Sequence, residues 1–271
     1  SFAHDRISSG INCEEINKWK NDDFFKDYLQ DLKSLYRIHS DISEANIPAN
    51  NIGEIVKEGD SIHPLYYKWA INLTYLKNKC LNNIDKKNKT ILEIGAGFGG
   101  FSHIFCKNIS DINYIIVDIP ETSVISSYFL IKNGMNVVLS NEYEDINEEI
   151  KKTNQTTFVL PKDVKKICPN SIDVVINMDG LVEMGTSIDY YLNEINRMCP
   201  KYFWHSNTSG NINYPRAIAE FKQISGERFE LIDDSFVPTV NTNPEYDNEP
   251  YRFNYLLTME NRYKNVLYQK Q

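Results

Sequence analysis

The sequence has no basic excess, no paired cysteines and no long apolar run, and each absence removes a class of function. Lys and Arg total 29 against 37 Asp and Glu, for a formal charge of −8. No positive surface is therefore on offer to a phosphate backbone, and nucleic acid is not expected as a partner. The five cysteines, at positions 13, 80, 106, 168 and 199, contain no CxxC pair and leave one over, so neither a disulfide framework nor a zinc knuckle is suggested. No stretch approaches the roughly 18 apolar residues of a membrane span. Residues Ser1 to Ile11 carry no basic segment followed by an apolar one, so a cytoplasmic setting is expected. Apolar residues at 41% and charged residues at 24% are ordinary for a globular chain and exclude disordered, collagen-like and coiled-coil readings.

Two textures follow one another along the chain. From Cys13 to Tyr36, and again from Leu65 to Leu81, apolar residues recur three to four apart among charges, which predicts amphipathic helices. Residues 1–85 are therefore read as an α-rich N-terminal cap, and residues 86–271 as a second unit. That unit has short apolar runs at Thr90–Ile94, Asn113–Ile119, Met135–Ser140, Ile172–Met178 and Tyr202–His205, mostly separated by helical candidates. The alternation predicts a doubly wound α/β sheet of the Rossmann-like kind. Two further β-like runs, Arg228–Val237 and Tyr251–Glu260, are joined by a turn-rich loop with no helix between them. A direct connection of that sort predicts an antiparallel pair.

The chemistry concentrates in Ile91-Leu92-Glu93-Ile94-Gly95-Ala96-Gly97-Phe98-Gly99-Gly100, an apolar run entering a glycine-rich turn before a helix. Glycines serve where a chain turns sharply against a ligand, and the helix start behind them offers unpaired N–H groups. Gly95, Gly97 and Gly100 satisfy GxGxxG, so a dinucleotide is one reading. Glu93 argues against it, because a carboxylate two residues before the first glycine repels a pyrophosphate and attracts a cation. Asp118 ends the next apolar run about 20 residues past Gly97, the spacing of a ribose-hydroxyl acceptor in either case.

Together these residues resemble motif I and the second acidic position of class I S-adenosylmethionine-dependent methyltransferases. Phe98-Gly99-Gly100, Asp118-Ile119-Pro120-Glu121-Thr122 and Ile176-Asn177-Met178-Asp179-Gly180-Leu181-Val182-Glu183-Met184 resemble, more narrowly, bacterial sugar O-methyltransferases of deoxysugar and surface-polysaccharide (capsule) pathways. The likeness covers roughly residues 60–207. It implies a seven-strand sheet with the last strand antiparallel and S-adenosylmethionine as cofactor. It also implies a sugar or glycoconjugate acceptor, nucleotide-linked sugars included. Glu93, Gly95, Ala96, Gly97, Gly99, Asp118 and Ile119 would hold the donor, with Asp163 near the adenine edge.

Methyl transfer to oxygen requires the acceptor's proton to be removed, and ligands of open α/β sheets bind at the carboxyl ends of the strands. His205, closing one strand ahead of the polar Ser206-Asn207-Thr208-Ser209, is the leading general base. Asp179, following another strand, is the second. His63, Tyr66, Glu183 and Asn207 are candidate acceptor contacts. Asp179 and Glu183, four apart, fall short of a metal site, and none is assigned. Two other classes stay open: an NAD(P)-dependent oxidoreductase, and an inactive methyltransferase-fold binding module. The oligomeric state is open as well.

Overall fold

The computed structural model describes residues 30, 33–43, 64–140, 142–237 and 263–271. Its centre is a run of strands buried on both faces, as parallel strands flanked by helices must be. These are β1 (Lys89–Ile94), β2 (Ile112–Val117), β4 (Thr156–Val159) and β5 (Val174–Met178). Beyond them lie β3 (Val137–Val138), β6 (Tyr202–Thr208), β7 (Phe229–Phe236) and β8 (Tyr263–Lys270). The sheet order is β3-β4-β2-β1-β5-β6-β8-β7, and β8 runs antiparallel to both of its neighbours.

The doubly wound α/β sheet and its antiparallel last strand are as the sequence predicts. Two details differ, and a third expectation falls outside the described residues. Among the described residues the sheet has eight strands, because Thr156–Val159 forms a strand between β2 and β3. The final strand is Tyr263–Lys270, while the run expected at Tyr251–Glu260 lies outside the described residues. And β6 does not end at His205 but continues through Thr208. Its polar residues Ser206, Asn207 and Thr208 are each registered against β8, at Asn265, Lys264 and Tyr263.

Helices cover both faces. On one lie α1 (Pro64–Lys79), α2 (Gly100–Asn108) and α3 (Pro120–Lys132), whose Trp69, Leu73, Leu76, Phe105 and Phe129 share a cluster with Ile91, Tyr114, Ile176 and Trp204. On the other lie α4 (Ile146–Glu149), α5 (Ile188–Met198) and α6 (Tyr214–Ser225). The spacing of Ile188, Leu192 and Ile195 explains α5, since three- and four-residue steps bring them onto one stripe, which packs on Leu92, Val175 and Phe203. Side chains between Tyr66 and Ile84 thus belong to the same cluster as those of the sheet. Residues 33–39 are helical, and most of the earlier helical run lies outside the described residues. No helix among the described residues is long and apolar enough to cross a membrane.

The order of connection places a crevice. From β1 the chain winds one way to β2, and it later returns to lay β5 on the other side of β1. At such a switch the two connections leave the sheet on opposite faces, and the carboxyl ends of β1 and β5 stand open between them.

Candidate active site

The glycine turn leaves β1 at this crevice. Gly95, Gly97 and Gly99 have φ of 77°, 58° and 90°, the left-handed region that residues with a Cβ enter at a cost. Nothing lies within 4 Å of where a Cβ on Gly97 would stand, so the turn is open on that side. Asp118, just past β2, clasps it: the Gly97 amide donates to Oδ2 at 3.1 Å and the Ile119 amide to Oδ1 at 2.8 Å. Burial raises the Asp118 carboxyl to about 6, against the pull of those amides. Ile119 is 45% exposed and gives the lip of the crevice a flat apolar patch beside the carboxylate.

Glu93 sits one layer deeper. It is 2% exposed, and its Oε2 accepts from the Ser102 hydroxyl of α2 and, at 2.8 Å, from the Tyr114 hydroxyl of β2. Burial raises it to about 7, with the two hydroxyls opposing and Asp118 adding to the rise. An acidic pair therefore lines the turn, and the opening of α2 is walled by rings instead of cations. Trp69 and Phe98 lie tilted with centroids 5.6 Å apart, Phe98 and Phe129 meet edge to face at 5.2 Å, and a Cβ on Gly100 would stand 2.3 Å from the Trp69 ring.

Asn177, the polar residue in the buried run Val174–Met178, braces the crevice. Its Nδ2 donates to the Ile94 carbonyl at 2.8 Å, while its Oδ1 accepts from the Leu181 amide at 2.8 Å and from Asn207 Nδ2 at 3.1 Å. One side chain thus ties the glycine turn, the loop after β5 and β6 together. Its signal in the sequence was available: an amide inside a strand buried on both faces needs partners there.

Asp179 stands at the carboxyl end of β5 with φ 64°, its amide donating to the Ser206 carbonyl at 2.9 Å. Its carboxylate is held by a residue the sequence reading did not single out. Lys68, one turn into α1, donates from Nζ to both Asp179 oxygens at 3.1 and 3.0 Å. The same ammonium lies 3.2 Å from the centre of the Tyr263 ring. Burial pulls the Lys68 ammonium below its usual range, and Asp179 opposes that pull.

The remaining candidates separate. His205 lies within β6, is 1% exposed, and packs its ring against Phe203, Tyr214 and Tyr268. Burial drops its pKa to about 3, so it is neutral near pH 7. Asn207 is fully buried and bonded to Asn177 and, at 3.3 Å, to His205 Nδ1. Tyr66 is 3% exposed and stacks edge-on against Trp69, which makes it a packing residue. Glu183 is exposed on the short helical turn after β5. Asp163 follows β4 at the same edge of the sheet and pairs with Lys166 at 2.7 Å. His63 lies outside the described residues.

No family model matches the sequence, and no curated protein matches it. Solved structures are similar to it at low identity. A precorrin-6y C5,15-methyltransferase from Geobacter metallireducens GS-15 is 14% identical with a TM-score of 0.48, over 80% of this chain and 94% of that one. The magnesium protoporphyrin IX methyltransferase of Synechocystis PCC 6803, with bound S-adenosylmethionine, is 11% identical at 0.48, over 89% and 97%. A methyltransferase dependent on the same donor, from Aquifex aeolicus, is 11% identical at 0.45, over 69% and 85%. At these identities and scores, a functional reading has to come from this chain's own residues.

Proposed function

We propose that the chain is an S-adenosylmethionine-dependent methyltransferase. The observation that carries this is the pair of carboxylates, buried Glu93 and half-buried Asp118, at a left-handed glycine turn beside the switch between β1 and β5. A pyrophosphate would meet two acids and a ring of aromatic side chains. A ligand with a sulfonium and an ammonium gains from the same field. Asp118 would accept from the ribose hydroxyls, Ile119 would lie against the adenine, and Asp163 would approach its edge. Gly95, Ala96, Gly97 and Gly99 would admit the donor against the backbone, with Glu93 beneath its cationic end. When bound, that donor supplies an electrophilic methyl group.

The acceptor in this reading is a hydroxyl of a sugar or glycoconjugate, nucleotide-linked sugars included, in a cytoplasmic surface-polysaccharide or deoxysugar pathway. What supports it is the likeness of the motifs over residues 60–207. The chain's own share of the chemistry is to orient the hydroxyl and receive its proton. Asp179, a half-exposed carboxylate at the carboxyl end of β5, is suited to that.

Thermal unfolding with S-adenosylmethionine, S-adenosylhomocysteine and NAD(P) side by side tests the donor, because a ligand bound only by the native state raises its stability by mass action. The midpoint should rise with the first two and not with the dinucleotides. A rise with the dinucleotides alone would sink the proposal in favour of an oxidoreductase. Binding of the donor without transfer to any acceptor would favour a non-catalytic module.

A further inference from the structure

We infer that Lys68 and Asp179 form the acceptor-activating pair of this site, with Asp179 receiving the hydroxyl proton and Lys68 acting through it as a positioning residue. The inference rests on the methyl-transfer reading and adds to it a residue from α1.

Geometry divides the labour. The Lys68 side chain is 8% exposed and that of Asp179 28%, so the cation is walled in and the carboxylate is what the crevice sees. Nζ holds both carboxylate oxygens, at 3.1 and 3.0 Å, and is itself seated on the Tyr263 ring. A carboxylate gripped from behind in this way keeps outward lone pairs for a hydroxyl while its orientation is fixed.

Neither residue is where packing alone would put it. Lys68 has Trp69, Ala70 and Ile71 beside it in a helix buried almost all round, and an apolar side chain avoids the desolvation that an ammonium suffers there. Asp179 has left-handed backbone at φ 64°, a conformation less favourable for a residue with a Cβ than for glycine, and such backbone clusters at functional sites. Two further polar atoms in this neighbourhood are buried without a hydrogen-bond partner among the described residues. Asn72 Oδ1 belongs to the next turn of α1, and Ser206 Oγ to the residue whose carbonyl takes the Asp179 amide. Asn72 Nδ2 reaches Met178 Sδ at 3.7 Å, so its amide lies against the residue before Asp179. Unmet hydrogen bonds beside a charged pair suit a polyhydroxylated ligand, which brings both donors and acceptors.

In the step, the acceptor oxygen forms a bond to the donor's methyl carbon as the carbon–sulfur bond breaks. The electron pair of that bond stays on sulfur, leaving a neutral thioether. The hydroxyl proton passes to the Asp179 carboxylate and from there to water, while Lys68 keeps its charge throughout.

The test uses the full chain with labelled S-adenosylmethionine and a panel of methyl pyranosides of the common hexoses and 6-deoxyhexoses as acceptor probes. It compares the wild type with Lys68→Met, Lys68→Arg and Asp179→Asn, after circular dichroism and calorimetry with S-adenosylhomocysteine have checked folding and donor binding. Donor affinity should stay within about twofold in all three. Turnover should fall about 10²-fold or more in Asp179→Asn, the scale of a lost general base. It should fall at least about tenfold in Lys68→Met, in kcat and not in the KM for the donor, and recover in part in Lys68→Arg. Wild-type turnover in Lys68→Met, or the same loss in Lys68→Arg as in Lys68→Met, overturns the role of Lys68. If the wild type binds S-adenosylhomocysteine and methylates no pyranoside, the pair is not a hydroxyl site and the donor reading stands. Failure to bind S-adenosylhomocysteine removes the methyltransferase reading itself.

Discussion

Replacing Asn177 with Ala should loosen the donor crevice from within. The side chain is fully buried and makes three hydrogen bonds, to the Ile94 carbonyl, the Leu181 amide and Asn207 Nδ2. Truncation leaves three buried partners unmet at about 1–3 kcal/mol each if nothing relaxes. Partial relaxation of the three groups recovers some of this, so a net loss of about 2–4 kcal/mol is expected. In a chain of this size each kcal/mol moves the melting midpoint by about 2–4 °C, which predicts a fall of about 4–16 °C. Urea unfolding followed by circular dichroism measures the loss directly. Calorimetry with S-adenosylhomocysteine should show weaker binding in parallel, because the Ile94 carbonyl belongs to the residue before Gly95. A double-mutant cycle with Asn207→Ala should return a coupling of about 0.5–3 kcal/mol. A loss below about 0.5 kcal/mol with donor binding unchanged would refute the brace.

Gly100→Ala should cost about 1–3 kcal/mol through overpacking against Trp69, and adding Trp69→Leu should recover part of it; equal urea midpoints for wild type and Gly100→Ala would refute the contact. Glu93 and Asp118, raised by burial to about 7 and about 6, bind protons in the native state that the unfolded chain has released. Their contribution to stability is full below pH 4 and lost as pH rises through 6 to 7. A cationic donor prefers their ionised forms, so its affinity should climb from pH 5 to pH 7.5 and flatten in Asp118→Asn; a pH-independent calorimetric affinity would count against the acidic pair. His205 has the opposite sign. Its pKa near 3 means that stability present above pH 6.5 is lost as pH falls toward 3, so His205→Gln should be less acid-sensitive between pH 7 and pH 4, with donor binding intact.

The donor half was legible because its chemistry is local. Glu93, the glycines and Asp118 sit on two strands whose Val, Leu and Ile content declares them, and a turn needing positive φ announces itself by glycine. The acceptor half depends on contacts distant in sequence. Lys68 and Asp179 lie 111 positions apart, and nothing about a lysine early in a helix says that the helix will lie across the end of β5. The end of β6 was hidden for a different reason. Ser206, Asn207 and Thr208 have loop composition, yet pairing with β8 carries them as strand, and that pairing cannot be seen in β6 alone. Thr156–Val159 has too few residues to show a period, so its place between β2 and β3 is set by pairing and not by pattern. Tyr263–Lys270 has the same texture as the run before it, and composition alone does not say that it pairs between β6 and β7.

The place of β8 sets an order of assembly. Strands β1 to β6 are laid down in sequence and bring with them the glycine turn, both acids and Asp179. The outer edge of β6 then waits for a strand that follows β7 in the chain and slips in between the two. The ring beneath the Lys68 ammonium, Tyr263, is the first residue of that strand. A chain synthesised only as far as β7 carries the glycine turn, Glu93, Asp118 and Asp179 but lacks the strand that lies against β6. In the finished sheet the strand that covers the edge of β6 is also the one that seats the buried cation.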